Sequence, residues 1–168
     1  IRPVYETALK HLQGERIQAA SWTPPQTNLR GEARNLFLKG AEVYRREGHC
    51  ITCHQEKGQG LPAAQFPPLA ESEWVVGQPE RLIALTLHGL LGPMEVKGKT
   101  YQGLVPMTPF KGLKDAEIAA VLTYVRNAFG NQAPMIGPDT VRAVREATRN
   151  QNGFIQASTL LESFPEVD

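Results

Sequence analysis

Cys50-Ile51-Thr52-Cys53-His54 constrains this chain more than any other stretch. Two thiols three positions apart, on one turn of backbone, can reach the two vinyl groups of one porphyrin edge. The histidine beside them then falls under the iron, where it can supply the proximal nitrogen. A C-x-x-C-H run therefore reads as a covalent haem c site anchored by Cys50, Cys53 and His54. The chain has 2 cysteines in all, so none is left for a disulfide. Two other chemistries use the same residue types. Zinc would need at least one more ligand from His11, His49 or His88. A redox dithiol would want a thioredoxin-like alternation of strands and helices around it, and the hydrophobic pattern shows none.

A chain of 168 residues suits one domain with extensions. Hydrophobic residues make up 41% and aromatics only 7%, so the large apolar surface of a haem would help to complete a small core. A formal net charge of +1 gives no strong pull towards nucleic acid or a membrane surface. No apolar run reaches the roughly 20 residues that span a bilayer. The chain opens at Ile1 without a signal-peptide pattern, and is expected to be a mature protein or a segment of a longer one.

Hydrophobic spacing predicts a helix over residues 1–13, followed by a linker from Ser21 to Gly31 with Pro24-Pro25. A second helix is expected from Ala33 to Glu47, with Phe37, Gly40, Ala41 and Tyr44 on one face. Gly40 costs that helix about 1 kcal/mol relative to alanine, which makes sense if another element approaches the backbone there. From Gln55 to Gln78 the chain is rich in glycine and proline and reads as irregular, with Leu61, Phe66 and Leu69 able to line a pocket. A short helix follows from Pro79 to His88, then a hairpin from Met94 to Tyr101 turning at Lys97-Gly98. The next helix is expected from Asp115 to Phe129, stopped by Gly130. A last one, Thr140 to Arg149, should carry Val141, Val144 and Ala147 inward and Arg142, Arg145 and Arg149 on another, solvated side. Residues 150–168 read as a loosely docked tail.

A haem iron held by one histidine is either left open or closed by a second residue. The candidates are Met94, Met107, Met135, His11, His49 and His88. His49 is too close to the attachment turn to cross to the opposite face. Met107 lies between Pro106 and Pro109, just before a strong helix. Those prolines fix φ and lower the entropy lost on ordering a loop that must hold a thioether against iron.

With these features the chain resembles the class I cytochrome c family over about residues 32–131. The resemblance rests on a helix with Gly40 and Tyr44 leading into Cys50-x-x-Cys53-His54, a Pro67-Pro68-Leu69 segment, the loop Val105-Pro106-Met107-Thr108-Pro109-Phe110, and the helix from Leu113 to Gly130. It implies an all-α fold around one covalent haem, with a small hairpin before the methionine loop. Residues 1–31 and 132–168 are then helical extensions. It also implies that the first and last helices cross with Gly40 against Tyr124, and that the Pro67 carbonyl accepts the ring N–H of His54. The subtype is similar to bacterial domains found free or fused to periplasmic oxidoreductases, which implies Trp74 and Arg81 as bonding partners of the haem propionates. At Lys114 the chain departs from the family, where a capping Ser or Thr is usual, and Asp115 is expected to cap instead.

The implied function is electron transfer by a single haem with His54 and Met107 as axial ligands. No residue of the chain would carry catalysis, the location would be periplasmic or otherwise exported, and redox proteins or domains would be its partners. Lys97, Lys99, Lys111 and Lys114 flank the methionine loop and are expected to steer an acidic partner. The alternative is a haem-based gas or peroxide sensor, or a small catalyst, with a labile distal ligand.

Overall fold

The structure, a computed structural model, describes residues 23 and 25–165. The helix expected over residues 1–13 lies outside them. Among the described residues the helices are α1 (Gly31–Arg45), α2 (Cys50–His54), α3 (Glu73–Val76), α4 (Pro79–His88), α5 (Asp115–Val125), α6 (Pro138–Ala147) and α7 (Ala157–Ser163). A 3-10 turn spans Pro62–Ala64, and β1 (Met94–Val96) pairs antiparallel with β2 (Lys99–Tyr101).

Helices α1 and α5 cross with their backbones almost in contact. A Cβ placed on Gly40 would lie 1.9 Å from the Ala120 carbonyl oxygen and 2.7 Å from Tyr124 Cβ. Only glycine allows that approach, so its propensity cost is offset by packing. Around the crossing, Tyr124 sits 5.1 Å from Phe37 and 5.4 Å from Tyr44 between ring centroids, and 5.5 Å from Phe129. These tilted and edge-on arrangements suit aromatic quadrupoles.

The hairpin turns where expected, although Lys97-Gly98 is not the favoured Asn-Gly. Lys97 and Gly98 take φ of 54° and 71°, the left-handed pair that a tight two-residue turn requires. The surroundings make up for the lysine. The Lys97 backbone N–H donates to the Glu73 carboxylate at 2.8 and 3.1 Å, and Lys97 Nζ pairs with Glu71 at 2.8 Å. Both acids lie in or beside α3, a helix that the glycine- and proline-rich pattern concealed. Buried Ser72 caps it, accepting from the Trp74 N–H at 3.3 Å.

Helix α4 has the expected bounds, while α5 stops at Val125 rather than Phe129. The Asn127 side chain takes the Thr123 carbonyl at 3.1 Å, and Asn131 Nδ2 takes that of Val125 at 2.7 Å. The last carbonyls are thus satisfied by side chains rather than by a continued helix. Phe129 then turns at φ 60°, which lets its ring join the cluster around Tyr124. At the other end, Lys114 holds the N-cap position, and a lysine offers no acceptor. The Glu117 carboxylate accepts the Lys114 N–H at 2.8 Å. Asp115 does not cap, because its carboxylate takes Arg145 Nε at 2.8 Å.

The C-terminal residues depart most from expectation. Over residues 150–165 they are not a loose tail: Ile155 and Leu160 are buried with the core, and α7 packs on α4. In α6, Val141 and Val144 are buried as expected, but Ala147 is exposed. Arg142 and Arg149 form local pairs with Asp139 and Glu146, whereas Arg145 reaches across to another segment. Buried His88 closes α4, with Nε2 2.7 Å from the Thr148 hydroxyl. That hydroxyl donates to the Val144 carbonyl at 2.8 Å, so Nε2 is the donor to Thr148. His88 Nδ1 is buried without a hydrogen bond.

Two outcomes follow. Gly40→Ala, a change that favours an isolated helix, should cost on the order of 2 kcal/mol or more, because the new methyl meets backbone that cannot yield. A thermal or denaturant midpoint measures it. Burial, aided by the cations of Lys111 and Arg145, holds His88 below its usual 6.5. Below that value the unfolded chain takes the proton more readily, so stability should be full above it and be lost as pH falls towards the folded value. Melting curves across this range should show the loss, and His88→Gln should flatten it.

Candidate functional site

Helix α1 delivers the C-x-x-C-H motif through a tight exit. Gly48 N–H returns to the Val43 carbonyl at 2.7 Å, and His49 adopts φ 49° before the short helix α2 begins. Behind that helix, the Tyr44 hydroxyl donates to the Gln55 carbonyl at 2.7 Å. One residue of α1 thus packs on the helix crossing and ties down the chain just past His54. Burial pushes the Tyr44 phenol far above its ordinary value, so it is a donor throughout the working pH range.

The motif opens on a cavity of about 450 Å³, inside the range of roughly 300–1,000 Å³ usual for cofactor sites. Cys50, Cys53 and His54 line one part of it, and Pro67, Leu69, Trp74, Met94 and Met107 line others. The remaining wall is mostly apolar, with side chains such as Leu82, Leu85, Val121 and Leu122 from α4 and α5. Neither cysteine is in a disulfide, so both sulfurs are available for attachment. Among the described residues no group of three or more His, Cys, Asp and Glu side chains converges on a common point.

The His54 ring is oriented by its far nitrogen. Nδ1 lies 2.9 Å from the Pro67 carbonyl, and a carbonyl can only accept, so Nδ1 carries the proton and Nε2 the lone pair. Burial lowers the pKa of His54, partly opposed by the Pro67 carbonyl. The imidazole is therefore neutral, as a metal ligand must be. Pro67 is in turn anchored through its neighbours. Leu69 and Ala70 donate to the Gly58 carbonyl at 2.7 and 3.0 Å, and Asn131 Nδ2 donates to the Leu69 carbonyl at 3.0 Å while its Oδ1 accepts the Glu71 N–H at 2.7 Å. A wall of apolar side chains, two thiols on one turn and an imidazole with its lone pair preset all fit an attached haem.

A scan against known families matches the cytochrome c family over residues 37–129. The chain belongs to that family. Cytochrome c-552 of Thermus thermophilus is 42% identical over 113 residues, which cover 64% of this chain and 82% of that protein. The cytochrome c subunit of the quinone alcohol dehydrogenase of Gluconacetobacter polyoxogenes is 31% identical over 116 residues, covering 68% of this chain but 24% of that subunit. The fructose dehydrogenase cytochrome subunit of Gluconobacter japonicus is 32% identical over 108 residues, or 63% of this chain and 22% of the subunit. This cytochrome c carries a covalently bound haem c and serves haem-based electron transfer. Among the described residues no helix is long and apolar enough to cross a membrane.

The other sequence-predicted residues fall in distinct places. Met107 lines the cavity, with its backbone N–H on the Leu90 carbonyl at 2.9 Å. Met94, from β1, and His49 also line it, while Met135, which is exposed, and His88, which is buried, do not; His11 lies outside the described residues. Trp74 lines the cavity with its indole N–H on the Glu95 carbonyl at 2.8 Å. Arg81 is buried behind it, outside the cavity wall, its guanidinium carbon 5.2 Å from the Trp74 ring centroid. Sequence reasoning missed Asn131 and Arg126. The latter donates to the carbonyls of Val75, Gly77 and Pro134 at 2.7, 2.9 and 3.0 Å. Both residues bind backbone oxygens, and no spacing in the sequence marks those.

Proposed function

We propose that Cys50 and Cys53 hold the haem by thioether bonds, that His54 and Met107 are its axial ligands, and that the chain itself catalyses nothing beyond electron transfer. The observation that carries this reading is the His54–Pro67 bond, which leaves the Nε2 lone pair available on the cavity side of the motif. When bound, the haem supplies the one-electron couple, and His/Met ligation sets a high potential. Met107 is favoured over Met94 because its loop is stiffened by Pro106 and Pro109. The Met107 segment is also paired with Leu90 through its backbone, whereas Met94 starts a strand of the hairpin. The one donor of Trp74 is taken by the Glu95 carbonyl, so its proposed part is to pack its ring against the haem from the cavity wall, with Arg81 stacked behind it as its support. Attachment of this kind of haem takes place outside the cytoplasmic membrane, so the chain works in the periplasm or an equivalent exported compartment. It exchanges electrons with redox proteins, as a free carrier or as a domain of a larger oxidoreductase.

Docking is proposed at the face of the methionine loop. Leu104 and Val105 stand out there, 79% and 58% exposed, and would give a small apolar contact. Of the four lysines around it, Lys97 is paired with Glu71 and Lys111 Nζ donates to the Gln151 carbonyl at 3.0 Å. A carbonyl leaves the Lys111 charge in place, so steering falls to Lys99, Lys111 and Lys114. With three such charges, electron exchange with the partner should slow with rising ionic strength, but by less than four unpaired lysines would give. A rate indifferent to salt would remove the lysines from the docking step.

Ligation is tested by Met107→Ala. The weak near-infrared sulfur-to-iron band of the oxidised protein should vanish, the potential should fall, and the reduced form should bind carbon monoxide rapidly, which the unmodified protein should do only slowly, as its loop opens. Met94→Ala should keep the band. The reverse pattern would move the ligand to Met94, and rapid carbon monoxide binding by the unmodified protein would favour the sensor reading.

A further inference from the structure

The loop carrying Met107 is gripped on both sides by residues beyond the family match, which ends at residue 129. On its incoming side, Met107 N–H bonds to the Leu90 carbonyl at 2.9 Å. The backbone around Leu90 is itself held by Ile155: Leu91 N–H donates to the Ile155 carbonyl and Ile155 N–H to the Gly89 carbonyl, each at 3.1 Å. Three backbone segments therefore lie side by side, with Leu90 between Met107 and Ile155. Gly89 fits because it has no side chain. At φ +69°, a Cβ there would come within 2.3 Å of the Met107 carbonyl oxygen.

The outgoing side is held by Arg145 of α6. Its Nε donates to Asp115 Oδ1, one terminal nitrogen to the Lys111 carbonyl and the other to the Leu113 carbonyl, all at 2.8 Å. The planar guanidinium spreads three donors over residues 111–115, which begin four positions after Met107. A lysine could not satisfy all three in one plane. Lys111 Nζ returns to the Gln151 carbonyl at 3.0 Å, so the C-terminal extension is bonded to this turn from both partners. Between the two grips Phe110 N–H is fixed to the Thr86 carbonyl of α4 at 3.0 Å.

We infer that Arg145 is a positioning residue for the distal ligand: by clamping residues 111–115 it holds the Met107 loop against the haem iron. This rests on Met107 being the ligand. The sulfur–iron bond would be made by a short loop between these two grips, so its opening would be governed by what anchors the loop. Helix α6 does so through Arg145, and the neighbouring Arg142 does not, since it pairs with Asp139 on its own helix.

The test compares Arg145→Met, which keeps the apolar stem and removes the donors, with Arg145→Lys and with Arg142→Met as control. Work above neutral pH keeps His88, which faces Arg145 and Lys111, neutral in every variant. The readouts, taken well below the unfolding transition, are carbon monoxide uptake by the reduced haem protein and amide exchange at Met107 and residues 111–113. Arg145→Met should speed both by about tenfold or more, the worth of one charged hydrogen bond. Arg145→Lys should not restore the slow rates, and Arg142→Met should match the unmodified protein. Unchanged uptake and exchange in Arg145→Met, even with a lowered melting point, would overturn the inference, as would full rescue by lysine. If Arg145→Met does not mature, Asp115→Asn is read in its place against the same outcomes. A near-infrared band surviving in Met107→Ala would instead refute the ligand assignment, and amide exchange alone would then decide whether Arg145 holds the loop.

Discussion

Everything at the site depends on two backbones touching. Because Gly40 lets α1 settle on the Ala120 carbonyl of α5, the C-terminal half of α1 has only one place to go. Tyr44, one turn later, is wedged against Tyr124 and Phe129 and reaches the Gln55 carbonyl with its hydroxyl. The C-x-x-C-H turn hangs between these two fixed points. A looser crossing would leave the motif intact in sequence but free to swing, and the cavity wall built from α4 and α5 would no longer face it. The interaction is mainly dispersion between close-packed atoms, individually weak and large only in sum. This is why one added methyl matters more here than the helix propensity it would bring.

From that crossing the proximal side is built almost without side-chain chemistry. The chain after His54 folds back so that the Pro67 carbonyl meets the imidazole, and Asn131 stitches that segment to the end of α5 through the Leu69 and Val125 carbonyls. Asn131 is buried, and its amide donates two bonds and accepts one. A polar group so placed costs little because it is satisfied, and it fixes the register between two segments that share no secondary structure. Arg126 acts in the same way between α3 and the segment after α5. Burial among carbonyls lowers its pKa, with Glu80 acting in the opposite direction.

What could be read from the sequence follows from this division. The haem motif, the glycine of the crossing and the bounds of α4 were legible because each needs particular residue types at short spacing. The hairpin at Lys97-Gly98 was legible from its flanks, although its stabilisation by Glu73 and Glu71 was not. Helix α3 was hidden because a four-residue helix has too few turns for a period to show, and its capping Ser72 lies in a proline-rich context. The extent of α5 was overstated because its apolar spacing continues to Phe129, while the stop is made by the amides of Asn127 and Asn131 acting on carbonyls. The buried tail was missed for a related reason. Ile155 and Leu160 are too few to give a pattern, and their burial depends on a groove beside α4 that exists only once the domain has folded.

The two sides of the haem site are therefore held by different means. On the proximal side His54, the proposed ligand, lies one residue from Cys53, whose thioether bond would be permanent. No fluctuation of the fold can carry His54 far. On the distal side the sulfur of Met107 would be kept in place by the hydrogen bond to Leu90, by that of Phe110 to Thr86 and by whatever fixes the turn after it. Those bonds are individually worth about 1 kcal/mol, so local opening there is far easier than global unfolding. An electron carrier profits from a distal ligand that stays in both oxidation states, because any exchange of ligand would add reorganisation to each transfer. The segment beyond the family match bonds to both ends of this loop, through Ile155 and Arg145. With Met107 as the ligand, the C-terminal residues would serve the redox site as well as the stability of the domain.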